Sequence, residues 1–411
     1  MDRLHDVDST VVRSLAASSD TEGDNVMRHH NSLFHQILQV VPWDRFERLV
    51  DGHGSDARVR RLSSKSQLIS LLYAQFSGAQ SLREIEQAMA SHEARLYHLG
   101  ATAPARSTLA DANAKRPAQL FADLFAVITT QASPGLRRSI REAIHLVDAT
   151  SIRLADVSRA WANYEQHGAL VKVHMDFDAS NGMPANFAIT PARINDVTMA
   201  HTLPIEPGAT YVFDLGYYDF SWWRRLHDAD CRIVTRIKTH TKPRVLETRA
   251  VATSGPVRSD RIIAIDGRLK SARGAKHPLS GIALREVVVV IATGRSLRLL
   301  TNDLEAPAER IAELYKTRWQ IELFFRWVKQ HLKIKRFLGT SENAVRAQIA
   351  VALIAFLILR IVQTAKADHI SLLTFARLVK TNLMHIRPIE NLHEPPPLIY
   401  QDHRQAELAL C

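Results

Sequence analysis

Cysteine is almost missing from this chain. Among 411 residues only Cys231 and Cys411 carry thiols, too few and too far apart for a disulfide framework or a zinc cluster. The compartment expected from that usage is the reducing cytoplasm. Long apolar runs are also lacking. The most apolar stretch, Ile349 to Leu359, is too short to span a bilayer and is bracketed by Arg346 and Arg360, so a buried helix and no membrane partner are expected. The first 26 residues hold no apolar segment of the kind a secretory leader needs. Residues 1–27 are polar and aperiodic, and are expected to be disordered or to precede a true start at Met27. Nineteen histidines are present but none has ligand spacing, and they read as surface or satisfied core residues. Negative charge is in deficit: 42 Asp and Glu face 53 Lys and Arg, a formal +11 with a pI near 9.8. That excess favours a polyanionic partner without separating DNA from RNA or a membrane surface.

What is present is ordinary globular composition, 46% apolar and 23% charged, over a length that suits two or three domains. Residues 28–138 follow a helical pattern. Leu68, Leu71, Leu72, Gln75 and Phe76 recur at helical spacing, Ser77-Gly78 breaks the run, and Ser81 to Glu84 forms a capping box. Two short helices so joined make either a DNA-reading helix-turn-helix or a plain helical hairpin. After residue 140 the period changes. Apolar runs at Ala143 to Val147 and Tyr211 to Phe213 each end in an aspartate, Asp148 and Asp214. Runs at Leu170 to Phe177 and Met183 to Thr190 read as strands around an Asn181-Gly182 turn, and Arg232 to Ile237 as another, giving an α/β core over 139–238 and 304–340. Residues 239–303 read as a β-rich insertion. Pro307 suits the first turn of a long helix to about Lys335. Helices follow across 341–384, then an extended, proline-bearing tail over 385–411.

On the long helix Tyr315, Arg318, Glu322 and Lys329 fall in one stripe, beside an apolar stripe of Leu314, Ile321, Phe325, Val328 and Leu332. A carboxylate between cations is either an i, i+4 salt bridge or a metal ligand whose neighbours hold phosphates. Two strand-end aspartates facing a helical glutamate make an all-oxygen site possible, of the kind that suits Mg²⁺ or Mn²⁺. From Arg236 to Lys276 eleven Lys or Arg face only Glu247, Asp260 and Asp266, which fits a surface that tracks DNA. Trp222 and Trp223, near Asp214, either stack on a base or pack the core; Trp319 is open to both roles.

The segment Tyr315-Lys316-Thr317-Arg318-Trp319-Gln320-Ile321-Glu322, with Lys329 beyond it, resembles the signature of bacterial insertion-sequence DDE transposases of the insertion-sequence-four branch. Supporting likeness lies in Asp214-Leu215-Gly216-Tyr217, in Leu332 to Gly339 and in Ser107 to Asn113. Leu215 departs, standing where a basic residue is usual. The resemblance implies an RNase H-like core in which Asp148, Asp214 and Glu322 hold two divalent ions, Mg²⁺ or in its place Mn²⁺. It also implies contacts from Tyr315, Arg318 and Lys329 to transposon-end DNA, with Lys333, Lys335 and Arg336 beside them. The helical domain over 28–138 would bind DNA, and terminal inverted repeats, target DNA and a second copy in a synaptic homodimer are the implied partners. An RNase H-fold nuclease without strand transfer, and a silent DNA-binding derivative, are the alternatives that composition and motifs leave open.

Overall fold

The computed structural model describes residues 31–137, 143–155, 158–162, 168–265, 276–332, 334 and 336–395. The segments read as disordered at the start, Lys333, Lys335 and the tail beyond 395 lie outside the described residues. Among the described residues seven α-helices come first: α1 (Leu33–Leu38), α2 (Trp43–Gly52), α3 (Ser64–Ser77), α4 (Leu82–Ala90), α5 (Glu93–Leu96), α6 (Arg106–Lys115) and α7 (Gln119–Arg137). The sheet region follows with β1 (Ile144–Arg153), α8 (Arg159–Ala162), β2 (Leu170–Asp178), β3 (Met183–Pro191), α9 (Asp196–Ala200), β4 (Thr210–Phe213), α10 (Phe220–Asp228) and β5 (Arg232–Arg236). Then come β6 (Arg244–Arg249), β7 (Val257–Ala264), β8 (Ala283–Val290), β9 (Ser296–Thr301), α11 (Ala308–Thr317), α12 (Trp319–His331), α13 (Glu342–Lys366) and α14 (Leu372–Asn382).

All nine strands share one mixed sheet, ordered β3-β2-β1-β4-β5-β9-β8-β7-β6. The hairpins β1-β2 and β2-β3 are antiparallel, while β4 and β5 join β1 in parallel. Alternation along the strands sorts side chains to two faces. Leu146, Val212, Val234 and Leu299 point to one face and pack with Ile311, Ile321 and Val328 of α11 and α12. Val147, Tyr211, Phe213, Ile233 and Leu300 point to the other, against Trp222, Trp223 and Leu226 of α10. Helices therefore cover both faces, which is why the parallel strands at the centre are apolar on both sides.

The helical region meets the sheet directly where Phe125 of α7 packs edge-on against Phe187 of β3, and also through α13. That helix is long and apolar enough by composition to cross a membrane, yet its apolar stretch is enclosed by protein. α3 runs beside it, buried on nearly every side, and ends at Gly78, whose φ of 80° is the left-handed conformation that glycine adopts without strain. Ser81 then caps α4 by accepting from Glu84 N–H at 3.2 Å, as its spacing predicts.

Several boundaries differ from the sequence expectation. β1 does not stop at Asp148 but runs on to Arg153, because its antiparallel partner β2 keeps supplying backbone partners, down to Leu170 opposite Arg153. Only the parallel neighbour β4 ends there. The strands of 239–303 extend the same sheet, with β9 bonded antiparallel to β5. The helix expected from Pro307 to Lys335 is two helices that meet at Arg318 and end at His331. At the junction Arg318 N–H donates to Tyr315 O and Ile321 N–H to Arg318 O, the tighter three-residue spacing that interrupts an α-helical ladder. The tail begins as a paired rather than a merely extended segment, since Leu33 N–H donates to His385 O at 2.9 Å and Ser32 bridges Ile386.

Candidate active site

Strand register is what joins the two aspartates. The parallel pairing of β1 and β4 ends at Val147 opposite Phe213, so Asp148 and Asp214 come next on adjacent strands. Asp214 leaves the sheet there and caps the short turn Leu215–Tyr217, its Oδ1 accepting from Gly216 N–H at 2.7 Å. A side chain at 216 would lie 2.9 Å from Asp214 Oδ1 and 3.8 Å from Asp196 Oδ2, so any larger residue would have to push the Asp214 carboxylate aside. Asp196, at the start of α9, is thereby a fourth carboxylate beside the pair. It is held by Lys172 at 3.0 Å and faces His174 Nδ1 at 3.6 Å.

Glu322 approaches from the opposite side, on the first turn of α12. The Arg318 guanidinium binds it at 2.6 Å and reaches Asp148 Oδ2 at 3.6 Å. The salt bridge foreseen for an i, i+4 pair is thus present, and it also ties Glu322 to a strand aspartate. Arg318 is largely buried, and its Nε has no hydrogen-bond acceptor. Among the described residues no three His, Cys, Asp or Glu side chains converge closely enough to share one ion. Arg318 instead stands between two of the acids, its guanidinium reaching both Asp148 and Glu322.

Burial pushes the Asp148 carboxyl up to about 6; its own Ala149 N–H opposes the rise, and Asp214 and Glu322 add to it while Arg318 opposes them. Arg318 holds its proton more tightly than usual: burial works against the charge, but Tyr315, Glu322 and Asp148 outweigh it. Tyr315 is pushed up by burial, with Arg318 and Arg236 pulling the other way. Its ring lies 5.9 Å from the Arg318 guanidinium, and that of Trp319 lies 5.8 Å away.

Lys329, two turns beyond Glu322, bonds Thr150 Oγ1 at 2.5 Å and Ser151 O at 2.9 Å on the far end of β1. Together with Arg153 and Arg336 it lines an open cleft of about 590 Å³. Arg336 also reaches Gln80 Oε1 at 2.5 Å, on the connection between α3 and α4. Trp222 and Trp223 are fully buried in an aromatic cluster with Phe213, which settles them as core. Trp319 is exposed over 54% of its surface and does not serve the core. Sequence reasoning gave no role to Asp196, Lys172 or Tyr217, and counted Arg236 only as part of a charge run. Asn195, which caps α9, was the one local signal for Asp196; its nearness to Asp214 is tertiary.

Acids at the end of a parallel strand pair, bridged by an arginine and followed along the same strand by an open cleft lined with lysine and arginine, define the class. It is that of enzymes acting on phosphate esters with the help of cations. Comparison with known proteins gives the family. A family model described as a transposase DDE domain matches residues 141–358, and one for a domain of unknown function matches 29–102. A Sinorhizobium fredii protein named as transposase y4zB is 39% identical over 305 residues, covering 74% of this chain and 83% of that one. A Geobacillus stearothermophilus protein, named as the transposase of insertion sequence element IS5377, is 30% identical over 272 residues, covering 65% and 70%. A solved piggyBac transposase synaptic complex with hairpin DNA overlays with a TM-score of 0.46 at 11% identity, covering 92% of this chain and 84% of that one, too loosely to carry an argument. The chain belongs to the DDE transposases: it is a DNA transposase, an enzyme of metal-dependent DNA cleavage and strand transfer.

Proposed function

We propose that Asp148, Asp214 and Glu322 are the catalytic acids of this transposase and hold two Mg²⁺ ions, or Mn²⁺ in their place, at the ends of an insertion sequence. The observation that carries this is the convergence on Arg318: one guanidinium contacts Glu322 and Asp148, and register sets Asp214 beside Asp148. The donor set fits. Carboxylate oxygens are what Mg²⁺ and Mn²⁺ select, and the buried Asp148, already burdened by two like charges, gains most from a cation. Glu322 would be the helix-borne ligand, and Arg318 beside it would bind a phosphate of the DNA. When bound, such ions supply activation of the attacking oxygen and neutralise the leaving one.

The protein's share of the work is positional. β1 and β4 fix two acids in register, and α12 carries the third on a helix packed against the sheet. Tyr315, Arg318, Lys329 and Arg336, with Lys333 and Lys335 from sequence, would hold the backbone of the transposon end. Trp319 is exposed where it can stack on a base. The order β3-β2-β1-β4-β5, antiparallel and then parallel, supports an RNase H-like core, and the signature supports the insertion-sequence-four branch. We place the protein in the bacterial cytoplasm, on terminal inverted repeats and target DNA, as a synaptic homodimer with α1–α7 contributing end binding.

The test is cleavage of DNA bearing the flanking terminal repeats, with Mg²⁺ or Mn²⁺, by wild type and by Asp214→Asn. Metal-dependent nicking at the repeat boundary that the variant loses supports the assignment. Nicking at the wild-type rate by Asp214→Asn refutes it.

A further inference from the structure

Cations gather a second time, on the helical region. The connection from α2 to α3 carries Arg58, Arg60 and Arg61, all exposed, and among the described residues none of the three side chains has an acidic partner. With Lys115 of α6 they line an open cavity of about 870 Å³, whose acidic lining among the described residues is Asp111 alone. That acid is already engaged by Lys115 at 3.5 Å. The base of the connection is pinned. Asp56 accepts from Ser64 N–H at 2.9 Å and from its hydroxyl at 2.8 Å, while Arg116 reaches Asp56 at 3.5 Å and donates to Gln67 Oε1 at 2.9 Å and to Leu62 O. His53 bonds Asp123 at 2.7 Å. Three guanidinium groups so held repel one another in the free protein, and a polyanion relieves that repulsion.

This surface and the cleft beside β1 meet at one turn of α13. Val345, with Thr340 just ahead of the helix, lines the cleft alongside Lys329 and Arg336. Between them Asn343 donates to the carbonyls of Asn113 and Arg116 and accepts from Ala118 N–H at 2.9 Å, so α13 begins against the end of α6. The acid in that turn, Glu342, is neutralised by Arg346 at 2.7 Å. The α3–α4 pair is a poorer candidate for a groove reader. α3 is buried along nearly its whole length, and α4 carries Glu84 and Glu86 against Arg83.

We propose that Arg58, Arg60 and Arg61, with Lys115, bind the phosphate backbone of duplex DNA that runs on from the cleft past the first turn of α13. Guanidinium groups offer paired donors to phosphate oxygens, and such contacts hold a duplex without reading its bases. The proposal rests on reading the helical region as a contributor to DNA binding and names the surface that does it.

The experiment measures anisotropy of two labelled duplexes, one bearing the terminal repeat and one unrelated, at several salt concentrations without divalent metal. Full-length wild type, the double variant Arg60→Ala, Arg61→Ala, and Arg83→Ala are compared, with a thermal melt of each. The double variant is expected to lose about 10-fold in affinity for both duplexes and to lower the salt slope of log affinity by about 2, one for each cation removed. Its melting temperature should match wild type, since exposed unpaired side chains hold nothing together. Wild-type affinity and slope in the double variant, with a loss in Arg83→Ala, overturn the proposal and leave DNA binding by the helical region standing on α4. Wild-type affinity in both variants overturns the proposal and that reading together. A loss confined to the repeat duplex overturns it as well, because the arginines would then be reading bases, and so does a lowered melting temperature in the double variant.

Discussion

Two ends of the same strand treat buried charge in opposite ways. Near the start of β1, His145 Nδ1 pairs with Asp176 at 2.7 Å and Nε2 with Glu206 at 3.1 Å, while its ring stacks on Tyr211 at 4.9 Å. Asn186 adds a bond to Asp176, and no polar atom of that group is left over. Further along, Asp148 shares Arg318 with Glu322, and in this part of the sheet the Arg318 Nε, the Tyr217 hydroxyl and His174 Nδ1 make no hydrogen bond. The two histidines report the contrast. Burial opposes charge on His145, but Asp176 and the acids around it prevail and raise it to about 9. Burial drives His174 down to about 4, with Asp196 too weak a counterweight and Lys172 against it. A charge cluster that serves the fold is closed; one that serves a ligand is left with bonds to make.

The comparison breaks first on the acids of the open end. Glu322→Gln is expected to cut strand cleavage by about 10³-fold or more, to leave DNA binding largely intact and to leave the melting temperature close to wild type. Cleavage gels, end-binding assays and thermal melts check this, and a large stability loss would place Glu322 among the structural charges. At the closed end Asp176→Ala is expected to do the reverse, costing on the order of 3 kcal/mol in urea unfolding because it strands a buried His145 charge. Cleavage per folded molecule should be unchanged.

The pH dependence of stability sharpens the same contrast, with a smaller effect. His145 is raised above its unfolded value, so its contribution is complete below about pH 6.5 and fades as pH climbs through about 9. His174 is depressed and stays neutral, so stability falls instead as pH drops from about 6.5 towards 4. Denaturant midpoints across pH should show both limbs, and His145→Gln should flatten the alkaline one alone. The smallest effect is at the cleft. Lys329→Ala should weaken end binding modestly and lower the salt slope of log affinity by about 1, measured by fluorescence anisotropy at several salt concentrations. An unchanged slope would confine Lys329 to its bonds with Thr150 and Ser151.

Legibility followed the range of the interactions. The capping box at Ser81, the apolar runs ending at Val147 and Phe213, and the face shared by Arg318 and Glu322 were all readable, because each depends on neighbours within a few residues. The extension of β1 past Asp148 was not, since residues 149–153 are held as strand by β2 rather than by their own pattern. The break at Arg318 was equally hidden: nothing in its propensity stops a helix, and its guanidinium bridges Glu322 and Asp148. Asp196 had only its Asn195 cap as a local signal, and Tyr217 only its place in the run Asp214-Leu215-Gly216-Tyr217.

By itself the sequence determined a basic α/β protein with a helical N-terminal region, two aspartates after apolar runs, and a helical signature around Glu322. Periodicity and spacing are properties of the chain and survive without a fold. Tertiary structure alone decided that β4 ends one residue before the partner of Asp148 and that Arg318 stands between a strand acid and a helix acid. Those facts depend on strand order and register, which set how far apart in space residues 148, 196, 214, 217 and 322 come to lie, and no local rule encodes such distances.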